Sequence, residues 1–174
     1  MKHRSPLETE MKLRIPALAP IRDLLASMGF EESAPHQTEV SVLWDRNGEL
    51  KASESALRVR RYNGCVLLTW KGPKIPDPLL KIRPEVETTV EDGEALEAIL
   101  TALGFTPVLR MEKSRSMWSR AELIACLDET PFGCYLELEG EANAIKAAAE
   151  HLSLGADRVE RRSYPTLFRD HGLG

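Results

Sequence analysis

The sequence lacks the residue patterns that mark several common classes of enzyme and binding protein. Its three cysteines, Cys65, Cys126 and Cys134, form an odd set without CxxC spacing, which argues against a disulfide framework and a zinc knuckle. Its four histidines form no HxH or HExxH motif, and the chain has no GxxxxGKS/T, GxGxxG or GxSxG. Histidine-bound zinc and P-loop, dinucleotide-binding or serine-hydrolase chemistry are therefore not indicated.

Long apolar runs and a large charge of one sign are also absent. No stretch approaches the roughly 18 apolar residues of a membrane helix, and the opening MKHRSPLETE lacks the apolar segment of a signal peptide. Charged residues make up 29% of the chain, but the net charge is only -4, so no nucleic-acid-binding surface is indicated. We expect one domain, 1–174, in a soluble cytoplasmic protein that is a monomer or a homodimer and has neither a membrane nor a nucleic acid as partner.

Hydrophobic periodicity divides the chain into helices and strands. Apolar residues at helical spacing predict helices within 16–33, 91–108 and 142–152, and the first two segments contain a glycine that suits a C-cap. Alternating apolar and polar residues predict about eight strands, and the Asn63-Gly64 pair indicates an antiparallel hairpin. The segment 72–80, with three prolines, is predicted to be an exposed loop. The predicted strands are Leu7–Ile15, Thr38–Trp44, Ala56–Tyr62, Val66–Lys71, Glu85–Val90, Val108–Trp118, Glu122–Asp128 and Cys134–Glu139.

The charged residues of these strands share one face of each strand. In the first strand, Glu8, Glu10 and Lys12 lie on the face opposite to Leu7, Thr9 and Met11. A solvated face would mix Ser, Thr, Gln and Asn among its charges, whereas these faces carry acids in pairs and bases in pairs. The pairs are Arg58 and Arg60, Glu85 and Glu87, Lys113 and Arg115, and Glu137 and Glu139. Such faces meet if the sheet closes into an antiparallel barrel with a polar lumen and helices outside, an α+β fold.

Paired acids and paired bases on converging faces predict a particular ligand chemistry. Residues i and i+2 of a strand lie roughly 6.6 to 7 Å apart, so two carboxylates can share one divalent cation or hold two neighbouring ones. Carboxylate sites suit Mg²⁺ or Mn²⁺, which also bind substrate phosphates. Arginine and lysine supply donors for those phosphates. The two sets together predict a polyanion held through metal ions.

The order of the motifs resembles that of the CYTH superfamily, the triphosphate tunnel metalloenzymes. This superfamily includes class IV adenylate cyclases, thiamine triphosphatases and inorganic triphosphatases. Its ExExK signature corresponds to Glu8-Thr9-Glu10-Met11-Lys12, and the resemblance extends from about Leu7 to Phe168. The further matching segments are RVR with Arg58 and Arg60, LLTWKGP with Lys71, RPEVET with Glu85 and Glu87, MEKSRSMW with Lys113 and Arg115, IACLDETPFGCYLELEG with Asp128, Glu137 and Glu139, and Ser163-Tyr164.

The resemblance implies a closed eight-stranded tunnel barrel and a role for each matching residue. The implied metal ligands are Glu8, Glu10, Asp128, Glu137 and Glu139, with Glu85 and Glu87 as a second-metal or supporting pair. The implied phosphate contacts are Lys12, Arg58, Arg60, Lys71, Lys113 and Arg115, of which Lys12 and Lys71 are the candidate catalytic residues. For Arg14, Lys81 and Arg83, a place in the lumen and a place at the rim both stay open.

The implied activity is Mg²⁺- or Mn²⁺-dependent hydrolysis of a small-molecule triphosphate: thiamine triphosphate, inorganic tripolyphosphate or a nucleoside triphosphate. The alternative is a class IV adenylate cyclase that converts ATP to cyclic AMP and pyrophosphate. Some cyclases of the superfamily carry a His-Phe pair before ExExK, whereas here His3 is followed by Arg4. We therefore place hydrolysis ahead of cyclisation, and both ahead of a non-catalytic polyphosphate or nucleotide binder.

Overall fold

The computed structural model describes residues 7–173, so His3 and Arg4 lie outside the described part. It contains eight strands: Leu7–Ile15 (β1), Glu31–Asp45 (β2), Ala56–Tyr62 (β3), Cys65–Lys71 (β4), Lys81–Val90 (β5), Thr106–Arg120 (β6), Leu123–Thr130 (β7) and Gly133–Glu139 (β8). The helices are Leu18–Ser27 (α1), Glu49–Ala52 (α2), Gly93–Ala102 (α3), Ala142–His151 (α4) and Tyr164–Asp170 (α5), and a 3₁₀ turn spans Ala156–Arg158. None of the described helices is long and apolar enough to cross a membrane.

The eight strands form one closed antiparallel barrel in the order β1-β5-β4-β3-β2-β6-β7-β8, with β8 pairing back to β1. This confirms the predicted fold class. The hairpin between β3 and β4 turns at Asn63 and Gly64, whose φ values of 51° and 70° are those of the predicted tight turn. Closure leaves every strand with two hydrogen-bonded neighbours, so the alternate faces of all strands point either into the lumen or outward.

Helices cover parts of the outer wall, as predicted. Helices α1 and α4 pack on the outward faces of β1, β7 and β8, where Leu13, Leu25, Leu136 and Ile145 are fully buried. Helix α3 packs on β2 and β3 through Leu100, against Trp44 and Val59. Two of the three apolar clusters therefore lie outside the barrel wall, and the lumen is lined mainly by polar side chains.

Several elements extend beyond their predicted bounds or were not predicted. Strand β2 begins at Glu31 instead of Thr38, because two register shifts between Glu32 and Gln37 let an irregular segment stay paired with β6. Helix α2 is a single turn whose amides at Leu50 and Lys51 donate to the Asp45 carboxylate. Helix α5 begins after Ser163, whose hydroxyl accepts from the Thr166 amide. The predicted loop 72–80 holds no named strand or helix and has one isolated bridge to β5.

Candidate functional site

The lumen holds a cavity of about 840 Å³ whose lining is charged. Eleven basic and eight acidic side chains line it, although the whole chain has a net charge of -4. A cavity that is more basic than its own protein favours an anionic ligand. Of the predicted site residues, the lining includes Glu8, Glu10, Lys12, Arg58, Arg60, Lys71, Glu85, Lys113, Arg115, Glu137 and Glu139.

The order of strands around the barrel separates acids from bases. Strands β8, β1 and β5 are consecutive neighbours and carry the acidic pairs, which we call the acidic side. Strands β3, β2 and β6 form the opposite arc, which we call the basic side; its strands β3 and β6 carry the basic pairs. Strands β4 and β7 lie between the two arcs. A ligand that spans the lumen therefore meets carboxylates on one side and cations on the other.

On the basic side, Arg58 and Arg60 are held by β5. Arg60 donates to Glu87 at 3.0 Å, and Thr69 donates to the same carboxylate oxygen at 2.8 Å. Arg58 lies 3.7 Å from that oxygen. The Nε atoms of both arginines are buried without a hydrogen-bond partner among the described residues. Glu87 thus lies close to two guanidinium groups, each of which has a buried donor without a partner among the described residues.

The other basic pair converges on Asp128 of β7, which has no exposed surface. Its carboxylate accepts from Lys113 at 2.8 Å and from two nitrogens of Arg115 at 2.6 and 2.7 Å. The hydroxyl of Tyr164 in α5 donates to it at 2.5 Å. Burial alone would lower the pKa of Arg115, but the attraction of Asp128 outweighs it and raises that pKa well above its ordinary value. Asp128 therefore already accepts four hydrogen bonds, and its implied role as a metal ligand stays a prediction.

The acidic side is cross-linked by lysines. Glu10 of β1 and Glu139 of β8 are direct cross-strand partners, and Lys12 pairs in the same way with Glu137. The Lys71 ammonium donates to both oxygens of Glu8, at 2.6 and 2.7 Å, and Lys81 donates to Glu10. Two carboxylates directly opposite each other repel. Cations are therefore needed on this side of the lumen.

Lys12 is the most buried cation of the acidic side. Its ammonium donates to the Arg162 carbonyl at 3.1 Å, lies 3.4 Å from Glu137 and sits 3.7 Å above the ring centre of Tyr164. Burial lowers its pKa to about 8, although the nearby Glu137 charge acts in the opposite direction. This lysine therefore holds its proton less firmly than an exposed lysine does.

The carboxylates of the acidic side fit a divalent cation only with help from the ligand. In residues 7–173, no three His, Cys, Asp or Glu side chains are placed to hold a metal ion by themselves. The cross-strand pair Glu10 and Glu139, with Glu8 two residues away, still offers the one or two carboxylates through which Mg²⁺ usually binds together with water and phosphate oxygens. The donor set fits a metal that arrives with a polyphosphate.

The structure places the three residues that the sequence left open. Lys81 and Arg83 of β5 line the cavity, whereas Arg14 is exposed and contacts Asp157 and Glu160 outside it.

Sequence reasoning missed Glu39 of β2, a buried carboxylate on the basic side, because it has no acidic partner two residues away. It assigned no role to Tyr164, although Ser163-Tyr164 was part of the motif order.

One end of the cavity is apolar. There, Phe168 of α5 packs on Leu43, Leu109 and Met111 from β2 and β6, and Val108 joins the lining. Tyr164 packs against the same cluster while its hydroxyl reaches Asp128. The cavity thus combines a charged part with an apolar part, and α5 contributes to both.

Comparisons with known proteins agree with the fold. The CYTH domain matches residues 6–164. A Methanocaldococcus jannaschii protein named as a candidate adenylate cyclase is 28% identical over 172 residues, which cover 92% of this chain and 98% of that protein. A solved structure of a candidate adenylate cyclase from Vibrio parahaemolyticus has a TM-score of 0.86 at 19% identity, covering 95% of this chain and 99% of that one. A Hippeastrum protein, described as a candidate adenylyl cyclase with a dominant triphosphatase activity, has a TM-score of 0.67 at 20% identity, covering 94% and 96%.

Proposed function

The chain belongs to the CYTH domain family, and on that premise we propose that it is a divalent-metal-dependent enzyme that hydrolyses an organic triphosphate. Enzymes of this family act on triphosphates and are generally dependent on a divalent metal. The motif order in the sequence predicted this family, and the domain match confirms it. The reaction, the substrate and the residue roles below are our proposal.

The observation that carries the proposal is the pair of unpartnered donors on Arg58 and Arg60. Both Nε–H groups are buried at the lumen, and an unsatisfied buried donor is costly. Phosphate oxygens are strong acceptors for guanidinium groups. A phosphate chain in the cavity would offer acceptors to both guanidinium groups, because both side chains line the cavity. Lys113 and Arg115 lie on β6, which is separated from β3 by β2 alone. There they would contact the same phosphate chain.

The acidic side supplies the other requirements of phosphoryl transfer. Glu8, Glu10, Glu137 and Glu139 would hold the metal, which when bound would neutralise phosphate oxygens. Lys12 and Lys71 would contact the reacting phosphate and stabilise the charge that develops there. In hydrolysis, a water oxygen forms a bond to the terminal phosphorus, the bridging P–O bond breaks, and one proton of the water is released. Lys12, with its lowered pKa, is placed to hold or relay a proton at Nζ.

The apolar end of the cavity supports an organic substrate rather than inorganic tripolyphosphate. A bare phosphate chain has no group that would gain from contact with Leu43, Met111 and Phe168. A nucleoside or a thiamine moiety has both apolar and aromatic surface. The volume of about 840 Å³ also lies in the range of pockets that enclose drug-sized molecules.

Cyclisation of ATP is the second candidate. It is favoured by the M. jannaschii relative, which is similar over 92% of this chain and carries the name of a candidate adenylate cyclase. In that reaction the ribose 3′-hydroxyl group releases its proton, its oxygen bonds to the α-phosphorus, and pyrophosphate leaves as the α–β bridging bond breaks. The same cations and carboxylates would serve it. The two reactions differ in which phosphorus lies beside the nucleophile.

Product analysis separates these candidates. The purified protein is incubated with Mg²⁺ or Mn²⁺ and with ATP, thiamine triphosphate or tripolyphosphate, and the products are separated by ion-exchange chromatography. We expect orthophosphate and a diphosphate from an organic triphosphate. Cyclic AMP with pyrophosphate would establish the second candidate, and no turnover of any substrate would favour a non-catalytic binder.

A pair of variants tests the assignment of Glu10. Glu10→Gln keeps the shape but removes a metal-binding charge, so we expect metal-dependent kcat to fall at least about tenfold, which corresponds to about 1.4 kcal/mol. Glu112→Gln is the matched control, because Glu112 lies on β6 with its side chain 60% exposed. An unchanged metal dependence in Glu10→Gln would contradict its proposed role.

A further inference from the structure

Glu39 is the one acidic side chain that β2 places among the cations of the basic side. It is 3% exposed and pairs across the strands with Lys113. The hydroxyl of Ser41, two residues along the same face, donates to its Oε1 at 3.2 Å. An unpaired carboxylate would be costly to bury here, so the surrounding cations must compensate its charge.

Those cations surround Glu39 at distances longer than hydrogen bonds. Lys113 Nζ lies 3.8 Å from Oε1, while Arg60 Nη1 and Arg115 Nε lie 3.8 and 3.6 Å from Oε2. Glu39 Oε2 has no hydrogen-bond partner among the described residues. The three cations instead donate to other carboxylates: Arg60 to Glu87, and Lys113 and Arg115 to Asp128. Glu39 therefore attracts three cations electrostatically without accepting a hydrogen bond from any of them.

Resting on the proposed function, we propose that Glu39 is a positioning residue whose buried negative charge sets the spacing of Arg60, Lys113 and Arg115 for the phosphate chain. Without it, the cations that β3 and β6 direct to either side of β2 would repel one another more strongly. The arrangement mirrors the acidic side, where Lys12 and Lys81 lie among carboxylates. Each side of the lumen thus holds counter-charges that keep its like charges in place.

The Glu39 carboxyl group is charged at neutral pH. Burial alone would raise the pKa of this carboxyl group, but the attraction of Lys113, Arg115 and Arg60 lowers it to about 2. Such a weak base is a poor proton acceptor. Glu39 is therefore suited to hold cations in place rather than to exchange a proton with the substrate.

This role predicts that Glu39→Gln strengthens tripolyphosphate binding but slows turnover. The glutamine keeps the shape and the acceptor for Ser41 but removes a negative charge that repels phosphates. We expect tripolyphosphate to bind at least tenfold more tightly in EDTA, measured by titration calorimetry. Because the cations lose their spacing, we expect kcat to fall at least tenfold while KM does not rise. If the role of Glu39 were purely structural, the variant would have a lower melting temperature but would not combine tighter tripolyphosphate binding with a lower kcat.

Two further variants keep the test decisive. Glu39→Asp keeps the charge and should recover part of kcat, with tripolyphosphate affinity close to that of the wild type. Ser41→Ala keeps the charge of Glu39 but removes the hydrogen bond to its carboxylate. We expect kcat to fall about threefold with little change in tripolyphosphate affinity. This variant replaces Glu39→Gln in the test if Glu39→Gln does not fold. Unchanged kcat, or weaker tripolyphosphate binding in Glu39→Gln, would overturn the proposal. If the wild-type protein turns over no triphosphate, the proposed reaction fails, while the calorimetric comparison still decides the role of Glu39.

Discussion

Asp128→Asn is the substitution whose effect on stability the structure predicts most directly. The carboxylate is fully buried and accepts hydrogen bonds from Lys113, Arg115 and Tyr164. Asparagine has the same shape but carries no charge, and its amide nitrogen would face donors instead of accepting from them. Two buried cations would then lose the charge that they share.

The expected loss of stability follows from the cost of breaking a buried ion pair. Removing one partner of such a pair typically costs about 3 to 5 kcal/mol, because it leaves an uncompensated buried charge. The network here contains two cations and one hydroxyl, so we expect a value within that range. For a chain of this length, 1 kcal/mol shifts the melting temperature by about 2 to 4 °C, so Asp128→Asn should melt about 6 to 20 °C lower.

The measurement is denaturant and thermal unfolding in EDTA, followed by circular dichroism. EDTA matters because a residue that only binds metal would contribute nothing to stability when metal is absent. Glu129→Gln is the control, since Glu129 is the neighbouring residue of β7 and its side chain is 60% exposed. A loss below about 1 kcal/mol for Asp128→Asn in EDTA would refute the reasoning and would favour the role of metal ligand that the family resemblance implies.

Two other predictions concern the outer wall and the C-terminal segment. Leu136→Ala removes a fully buried side chain outside the lumen, so unfolding should become easier by about 2 to 5 kcal/mol while kcat of the folded protein is unchanged. Hydrogen bonds from Arg162 lower the pKa of Glu160 from 4.5 to about 2, so this carboxylate stabilises the fold above pH 4.5 and loses its effect as the pH falls toward 2. Because Arg162 is half exposed, Glu160→Gln should cost only about 1 to 2 kcal/mol at pH 7, and unfolding titrations from pH 7 to 2 should show a shallower decline.

The barrel could be predicted from the sequence because two patterns agree. The alternation of apolar and polar residues indicates strands, and the pairing of charges indicates that one face of each strand lines a common lumen. The bounds of β1 and β3 were predicted without error, since each has an unbroken alternation between clear ends. The irregular first half of β2 could not be found in this way, because register shifts around Pro35 interrupt the period of two.

The candidate site was predictable where charges come in pairs and unpredictable where they come singly. Glu39 follows Thr38 and shares its face with Ser41 and Leu43, so no pattern in the sequence separates it from a surface glutamate. Its burial depends on β2 lying between β3 and β6, which is a property of the strand order. The position of Tyr164 likewise depends on α5 returning to the lumen, which no local pattern specifies.

The strand order also bears on how a ligand would enter the lumen. Lys71 is bound to Glu8, and Arg115 donates to Glu137 at 2.5 Å, so ion pairs already join side chains that the proposed function assigns to phosphate and to metal. A polyanion that arrived alone would draw these cations away and leave Glu8 and Glu137 without their partners. A polyanion that brings a divalent cation replaces both halves of each ion pair at once. The free-energy cost of desolvating these side chains arises in folding and does not arise again when the ligand binds. The geometry therefore favours joint binding of metal and triphosphate over binding of either alone.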